Sequence, residues 1–194
     1  MRKKTLIILD WDDTLFPTSW SIRNNIDFTK KEVRDKYIVF FAKLDLLLYK
    51  LFINLLRYGQ IYIVTNAMTK WIVSSSRILP FTQKLLKFRV NIMSARDLHQ
   101  NSYPNDSFMW KKLVFEDIIN NNVKANNIIS IGDAEYEYKA LINLHENDNR
   151  LLKAIKFVQN PSFDTVIDQL QVLKKSIKLI VANNDHMDLL FSDN

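Results

Sequence analysis

The chain has no cysteine in its 194 residues. That excludes disulfides, Cys-ligated zinc, iron–sulfur clusters and every cysteine nucleophile, including that of the cysteine-dependent phosphatases. Glycine is nearly absent, with only Gly59 and Gly132. Neither a G-x-G-x-x-G dinucleotide loop nor a Gly-rich P-loop can be built from two isolated glycines. The three histidines, His99, His145 and His186, are far apart, so no local His metal motif exists. Long uncharged runs are also missing. Ile38 to Leu56 is strongly apolar, but Lys43, Asp45 and Lys50 interrupt it, which predicts a buried helix rather than a membrane span. The basic start Met1-Arg2-Lys3-Lys4 precedes an apolar run, Leu6 to Leu9, that stops at Asp10. This is shorter than a secretory core of about 7–15 residues. The chain is expected to be cytoplasmic where it is made.

What remains is an ordinary globular composition, 47% hydrophobic and 25% charged, long enough to bury a core without staples. The net charge is +6, a basic excess that favours anionic partners without choosing among phosphorylated substrates, nucleic acid and acidic membrane surfaces. Apolar runs predict strands at Thr5–Leu9, Gln60–Val64, Phe88–Met93, Asn127–Ile131 and Ala154–Val158. Between them, a helix is predicted from Thr29 to Arg57, opened by a Thr29-x-x-Glu32 capping box and closed by Gly59. Shorter helices are predicted at Ser107–Asn120 and Ala134–Leu144, and an amphipathic one from Ser162. Ser94–Asp106 reads as a loop. Strands alternating with helices predict an α/β fold, a parallel sheet of about five strands between helical layers. Residues 1–182 are read as one domain and 183–194 as a polar, frayed tail.

The chemistry concentrates at predicted strand ends, where open parallel sheets place ligands. The first strand runs into Asp10-Trp11-Asp12-Asp13-Thr14. Carboxylates so close repel each other unless something uses them, and a hard divalent cation is the natural partner. Asp10 and Asp12 would also suit a plain turn, where Asp is favoured. The fourth strand ends in Gly132-Asp133 followed by Glu137, adding a third oxygen donor to the set. The second strand ends in Thr65-Asn66, which suits either an anion site or simple helix capping. Lys111 and Lys112 follow Trp110 at the start of a predicted helix. Trp11, Phe16, Trp20, Tyr103 and Trp110 lie near these motif ends, where they line a pocket or, more simply, pack the core.

These four pieces in this order resemble the haloacid dehalogenase (HAD) superfamily of phosphotransferases. D-x-D-x-T is matched by Asp10, Asp12 and Thr14, the second-strand Ser/Thr by Thr65, the lysine by Lys111 with Lys112 adjacent, and G-D-x-x-x-D/E by Gly132, Asp133 and Glu137. The resemblance spans Thr5 to about Val158 and implies a Rossmann-like three-layer fold. It leaves no room for a large cap domain, so it is similar to the minimally capped magnesium-dependent phosphatases that act on phosphotyrosine or other exposed phosphates. It implies Asp10 as nucleophile, Asp12 as acid and base, Thr65, Asn66 and Lys111 as phosphate ligands, and Mg²⁺ on Asp10, Asp133 and the Asp12 main-chain carbonyl. Asp12 also argues against a dehalogenase, which lacks the second Asp. The pattern further resembles the phosphatase domain of a secreted bacterial effector, which would act in the host cytoplasm on a phosphoprotein. Two other functions compete: a catalytically idle phospho-binding domain, and a nucleic-acid end phosphatase. The latter has no RNP-like aromatic motif or dense basic run to support it, and no nucleic-acid partner is expected.

Overall fold

The computed structural model describes residues 4–143 and 150–192. Met1 to Lys3, Leu144 at the end of a predicted helix, and His145 lie outside the described residues. The architecture is α/β: six parallel strands in the order β3-β2-β1-β4-β5-β6. The strands are β1 (Thr5–Leu9), β2 (Gly59–Thr65), β3 (Asn91–Ser94), β4 (Asn127–Gly132), β5 (Leu151–Lys156) and β6 (Met187–Leu190). Thr5–Leu9 and Asn127–Gly132 are buried at every position, as continuous Ile- and Leu-rich runs require when helices cover both faces. The order reverses between β1 and β4, and the carboxyl ends of those two strands flank the crevice where such sheets bind ligands.

Eight α-helices pack on the sheet among the described residues: α1 (Thr18–Arg23), α2 (Lys31–Leu55), α3 (Thr69–Ser75), α4 (Pro80–Arg89), α5 (Ala95–His99), α6 (Ser107–Asn121), α7 (Glu135–Ile142) and α8 (Phe163–Ala182). The sheet residues Ile7, Leu9, Ile61 and Ile129 face one apolar core, shared with α2 and α8. Leu6, Ile8, Ile128 and Leu152 face the other, shared with α6 and α7. Alternate side chains thus feed two cores, giving three layers and no large cap. The amphipathic stripe of α8 buries Phe163, Val166, Leu170, Leu173 and Ile177, as its spacing predicts.

Several local expectations are corrected. The capping box at Thr29 does not form: α2 starts at Lys31 with no side-chain cap, and Thr29 instead bonds back to Asp27. Gly59 opens β2 rather than closing α2. Its role is close approach, because a Cβ there would sit 1.7 Å from the Thr5 carbonyl oxygen across the β1–β2 ladder. Phe88 and Arg89 end α4, where Pro80 occupies the first turn, and the third strand begins only at Asn91. The loop at Ser94–Asp106 holds α5, whose N-cap Ser94 accepts from the Asp97 N–H at 3.0 Å. β5 begins at Leu151, earlier than predicted.

The polar tail expected to fray after Ala182 instead adds β6 to the sheet edge, its last two residues, 193–194, lying outside the described residues. Two contacts tie it down. Buried Lys153 donates to the carbonyls of Ile180 and Asn183, at 2.6 and 2.9 Å, satisfying the last turn of α8. Phe191 packs on Phe157, with ring centroids 4.8 Å apart.

Substituting Gly59→Ala should destabilise the protein by roughly 1–3 kcal/mol or more, because the clash is with main chain rather than a movable side chain. A urea midpoint unchanged from the parent would contradict this account of the β1–β2 register.

Candidate active site at the β1–β4 crevice

The loop after β1 separates three neighbouring carboxylates. The Asp10 N–H still donates to Ile131 at 2.8 Å, so Asp10 is held at the crevice. The chain then turns back on itself. Leu15 and Phe16 both donate to the Trp11 carbonyl, at 3.0 and 2.9 Å, and Asp13 takes φ 55°, a left-handed conformation that Asp tolerates. Trp11 and Phe16 stack in the core with centroids 5.7 Å apart, anchoring the turn from below. They and Trp110 are buried packing, not pocket lining, whereas Trp20 and Tyr103 are partly exposed. Asp13 points to α1, where it accepts from the Ser19 N–H at 2.8 Å.

Asp10 meets a buried cation. Lys111 is 2% exposed, and its Nζ lies 2.9 Å from Asp10 Oδ1. It also pairs with Glu137. The Asp10 contact is an ion pair without hydrogen-bond alignment, so this buried oxygen keeps no directed donor. Lys112 instead is half-buried, near Glu116, 3.8 Å away. α6 enforces the choice: Asp106 accepts from the Met109 N–H at 2.9 Å, and Trp110 is fixed by donating to the Tyr103 carbonyl at 2.6 Å. The next residue, Lys111, is then turned inward. Glu137 reaches Lys111 by lying flat on Gly132, where a Cβ would come within 2.4 Å of its Cγ. Its other oxygen accepts from the Ala134 N–H at 3.1 Å, securing the start of α7.

Asp12 faces the other way. Its Oδ1 accepts from Thr18 Oγ1 and Trp71 Nε1, each at 2.6 Å, and its Oδ2 accepts from Thr65 Oγ1 at 2.9 Å. Thr65 is therefore engaged with Asp12, and its oxygen also accepts from the Ala67 N–H. Asn66 donates to the Ser107 carbonyl at 3.1 Å, leaving its buried Oδ1 without a hydrogen-bond partner. Asp133, at the end of β4, accepts from Thr14 Oγ1 at 3.3 Å. Sequence reasoning missed Thr18 and Trp71. Both come from helices that reach Asp12 only in the folded chain, so no spacing announces them.

Electrostatics favour an added cation. Burial pushes the Asp10 carboxyl up to about 6, opposed by Lys111 and reinforced by Asp12. Burial and the nearby Asp10 push Asp133 up to about 7, again opposed by Lys111. Asp10 and Glu137 share one ammonium, and Asp133 lies within reach of its charge without pairing to it. Among the described residues no three His, Cys, Asp or Glu side chains converge tightly enough to cage an ion alone. The Asp12 side chain is turned away to Thr18, Thr65 and Trp71, so it is no side-chain ligand. Asp10 and Asp133, close enough for the charge of one to raise the other, are the two carboxylates whose chemistry fits a divalent cation. Hard oxygen donors and an undirected buried oxygen are what Mg²⁺ accepts, since it keeps several waters of its own.

No family model and no curated protein matches the chain. A solved structure, that of the Legionella pneumophila effector Ceg4 with an N-terminal TEV protease cleavage sequence, is similar. Its TM-score is 0.52 at 12% identity, over 90% of this chain and 95% of that one. At that identity the likeness concerns the Rossmann-like α/β fold alone.

A carboxyl raised in the folded state costs stability as pH rises from the ordinary carboxylate range to its folded value. In chelator, the melting temperature should therefore fall between about pH 4 and about pH 7, from the ordinary carboxylate range up to the values of Asp10 and Asp133. Asp133→Asn should remove about 1–2 kcal/mol of that loss. Adding Mg²⁺ should stabilise the parent at pH 8 and affect the variant less. A pH dependence identical in both proteins would contradict the assigned repulsion.

Proposed function

We propose that this chain is a phosphomonoester hydrolase of the HAD type, acting through an aspartyl-phosphate on Asp10. The observation that supports it is the opposed placement of two carboxylates two residues apart. Asp10 lies against buried Lys111, whereas Asp12 is held by three donors, Thr18, Thr65 and Trp71.

In the first step an Asp10 oxygen bonds to phosphorus and the bond to the leaving oxygen breaks. Asp12 gives that oxygen its proton. In the second step Asp12 takes a proton from water, the water oxygen bonds to phosphorus, and the Asp10–phosphorus bond breaks to release phosphate. The hydroxyls of Thr18 and Thr65 can turn between donor and acceptor as Asp12 changes protonation, while the Trp71 indole only donates and so fixes the carboxyl plane. Lys111 places positive charge where negative charge builds on the phosphoryl oxygens, and Glu137 keeps Lys111 aimed. Thr65 and Asn66 would contact the same oxygens. Asp10, Asp133 and the Asp12 carbonyl would hold Mg²⁺. When bound, Mg²⁺ neutralises charge between nucleophile and phosphate.

The lack of a large cap among the described residues supports an exposed phosphate, such as phosphotyrosine on a protein, as the substrate. Ceg4 is a bacterial effector, and among the described residues no helix is long and apolar enough to cross a membrane. These two facts support a secreted effector acting in a host cytoplasm.

With an aryl phosphate and Mg²⁺, Asp10→Asn should abolish turnover. Asp12→Asn should lower it by roughly 10²–10⁴. The Asp12 loss should deepen when the phenol is replaced by an alkyl leaving group that needs protonation. EDTA should abolish activity and Mg²⁺ restore it. Lys111→Ala should weaken vanadate inhibition more than Lys112→Ala. Retained vanadate binding with no turnover on any phosphomonoester would favour the idle phospho-binding reading, and turnover confined to nucleic-acid ends would favour the end phosphatase.

A further inference from the structure

The charge of this chain is not spread evenly. Between Lys36 and Arg96 there are ten Lys or Arg residues and one acid, Asp45, whereas the remainder is net negative. Asp45 is buried and spent internally, its carboxylate accepting from the Phe81 and Thr82 N–H groups at 3.0 and 2.8 Å. The outer surface of α2 and α4 beyond Asp35 therefore carries cations alone.

That surface is also apolar. On α2, Lys36, Lys43 and Lys50 alternate with Val39, Leu46 and Ile53, each set repeating every seven residues along one exposed stripe. The stripe runs for about 25 Å at the usual rise per residue. Val39 is 83% exposed. On α4, Phe81 is 57% and Phe88 72% exposed, on the same face seven residues apart. Tyr49 and Phe81 touch, with centroids 6.1 Å apart, so the two stripes form one surface. Beside it, between α3 and α4, lies a cavity of about 520 Å³. Ile72, Leu86 and Phe88 form part of its mostly apolar wall, and its charged lining residues, Arg77, Lys84 and Lys87, are all basic.

We propose that the α2–α4 face docks on an anionic lipid bilayer. Lysines with long apolar stems suit the headgroup layer, reaching phosphates while Val39, Leu46, Phe81 and Phe88 enter the boundary below. The cavity matches one amphiphile: an apolar chain under an anionic headgroup. An acidic protein partner is the weaker fit, because Val39, Leu46 and Ile53 stand singly between the lysines of the stripe.

Sedimentation of the full chain with vesicles tests this independently of phosphatase activity. The protein should bind vesicles of phosphatidylcholine with phosphatidylserine, and not phosphatidylcholine alone. Each lysine removed should cost about fivefold in partitioning, so Lys84→Gln with Lys87→Gln should cost about 25-fold. Phe81→Ala with Phe88→Ala should weaken binding at high salt as well as low. Both pairs are exposed, and circular dichroism should confirm that they fold. Lys124→Gln with Lys139→Gln, which removes the same charge elsewhere, should change binding little. Failure to bind phosphatidylserine vesicles, or equal loss in the two lysine pairs, would overturn the proposal. So would poly-glutamate binding to this face when vesicles do not.

Discussion

The buried ammonium of Lys111 is the contact on which the site depends. An isolated charge this deep is costly, and it is stable only because Asp10 and Glu137 both reach it. Each partner imposes a demand on the chain. Asp10 must be carried to the crevice by β1, which is buried along its whole length. Glu137 must lie across Gly132, which leaves no space there for a Cβ. Trp110 must be pinned one residue earlier so that Lys111, and not Lys112, turns inward. One ion-pair cluster thus ties β1, β4, α6 and α7 together at the point where the strand order reverses.

The second constraint is the separation of Asp10 from Asp12. On a strand extending regularly, alternate residues would share a face. The turn closed on the Trp11 carbonyl, with Asp13 left-handed, breaks that regularity. Asp10 stays with the lysine, and Asp12 swings to Thr65 on β2 and Trp71 on α3. Two like residues acquire unlike surroundings, and that difference is the physical basis for assigning them different chemistry. Trp71 carries further meaning as a positioning residue, since its ring also packs on Phe16, with centroids 6.1 Å apart. The acid is thereby linked to the same aromatic cluster that anchors the turn.

The parallel sheet and its acidic strand ends are legible in the sequence because buried strands write themselves as unbroken apolar runs, and Asp10, Asp133 and Thr65 follow them directly. α3 and α4 are harder to read. They are short, and the apolar residues of α4 run on into β3, so Phe88 reads as strand. β6 is invisible for a different reason: it is four residues at a sheet edge, held by Lys153 and Phe157 from distant elements. The donors to Asp12 share that invisibility. Local patterns report which residues face inward, but not which polar groups will meet across layers.

The proposed function requires that an Asp10 oxygen accept phosphorus, and acid-quenched mass spectrometry reads this directly. Asp12→Asn protein mixed with an aryl phosphate and Mg²⁺ should accumulate a phosphorylated peptide containing Asp10, labile to hydroxylamine, because formation needs little proton donation and breakdown lacks its base. Phosphate found on a serine or histidine, or phosphorylation of an Asp10→Asn protein, would contradict it.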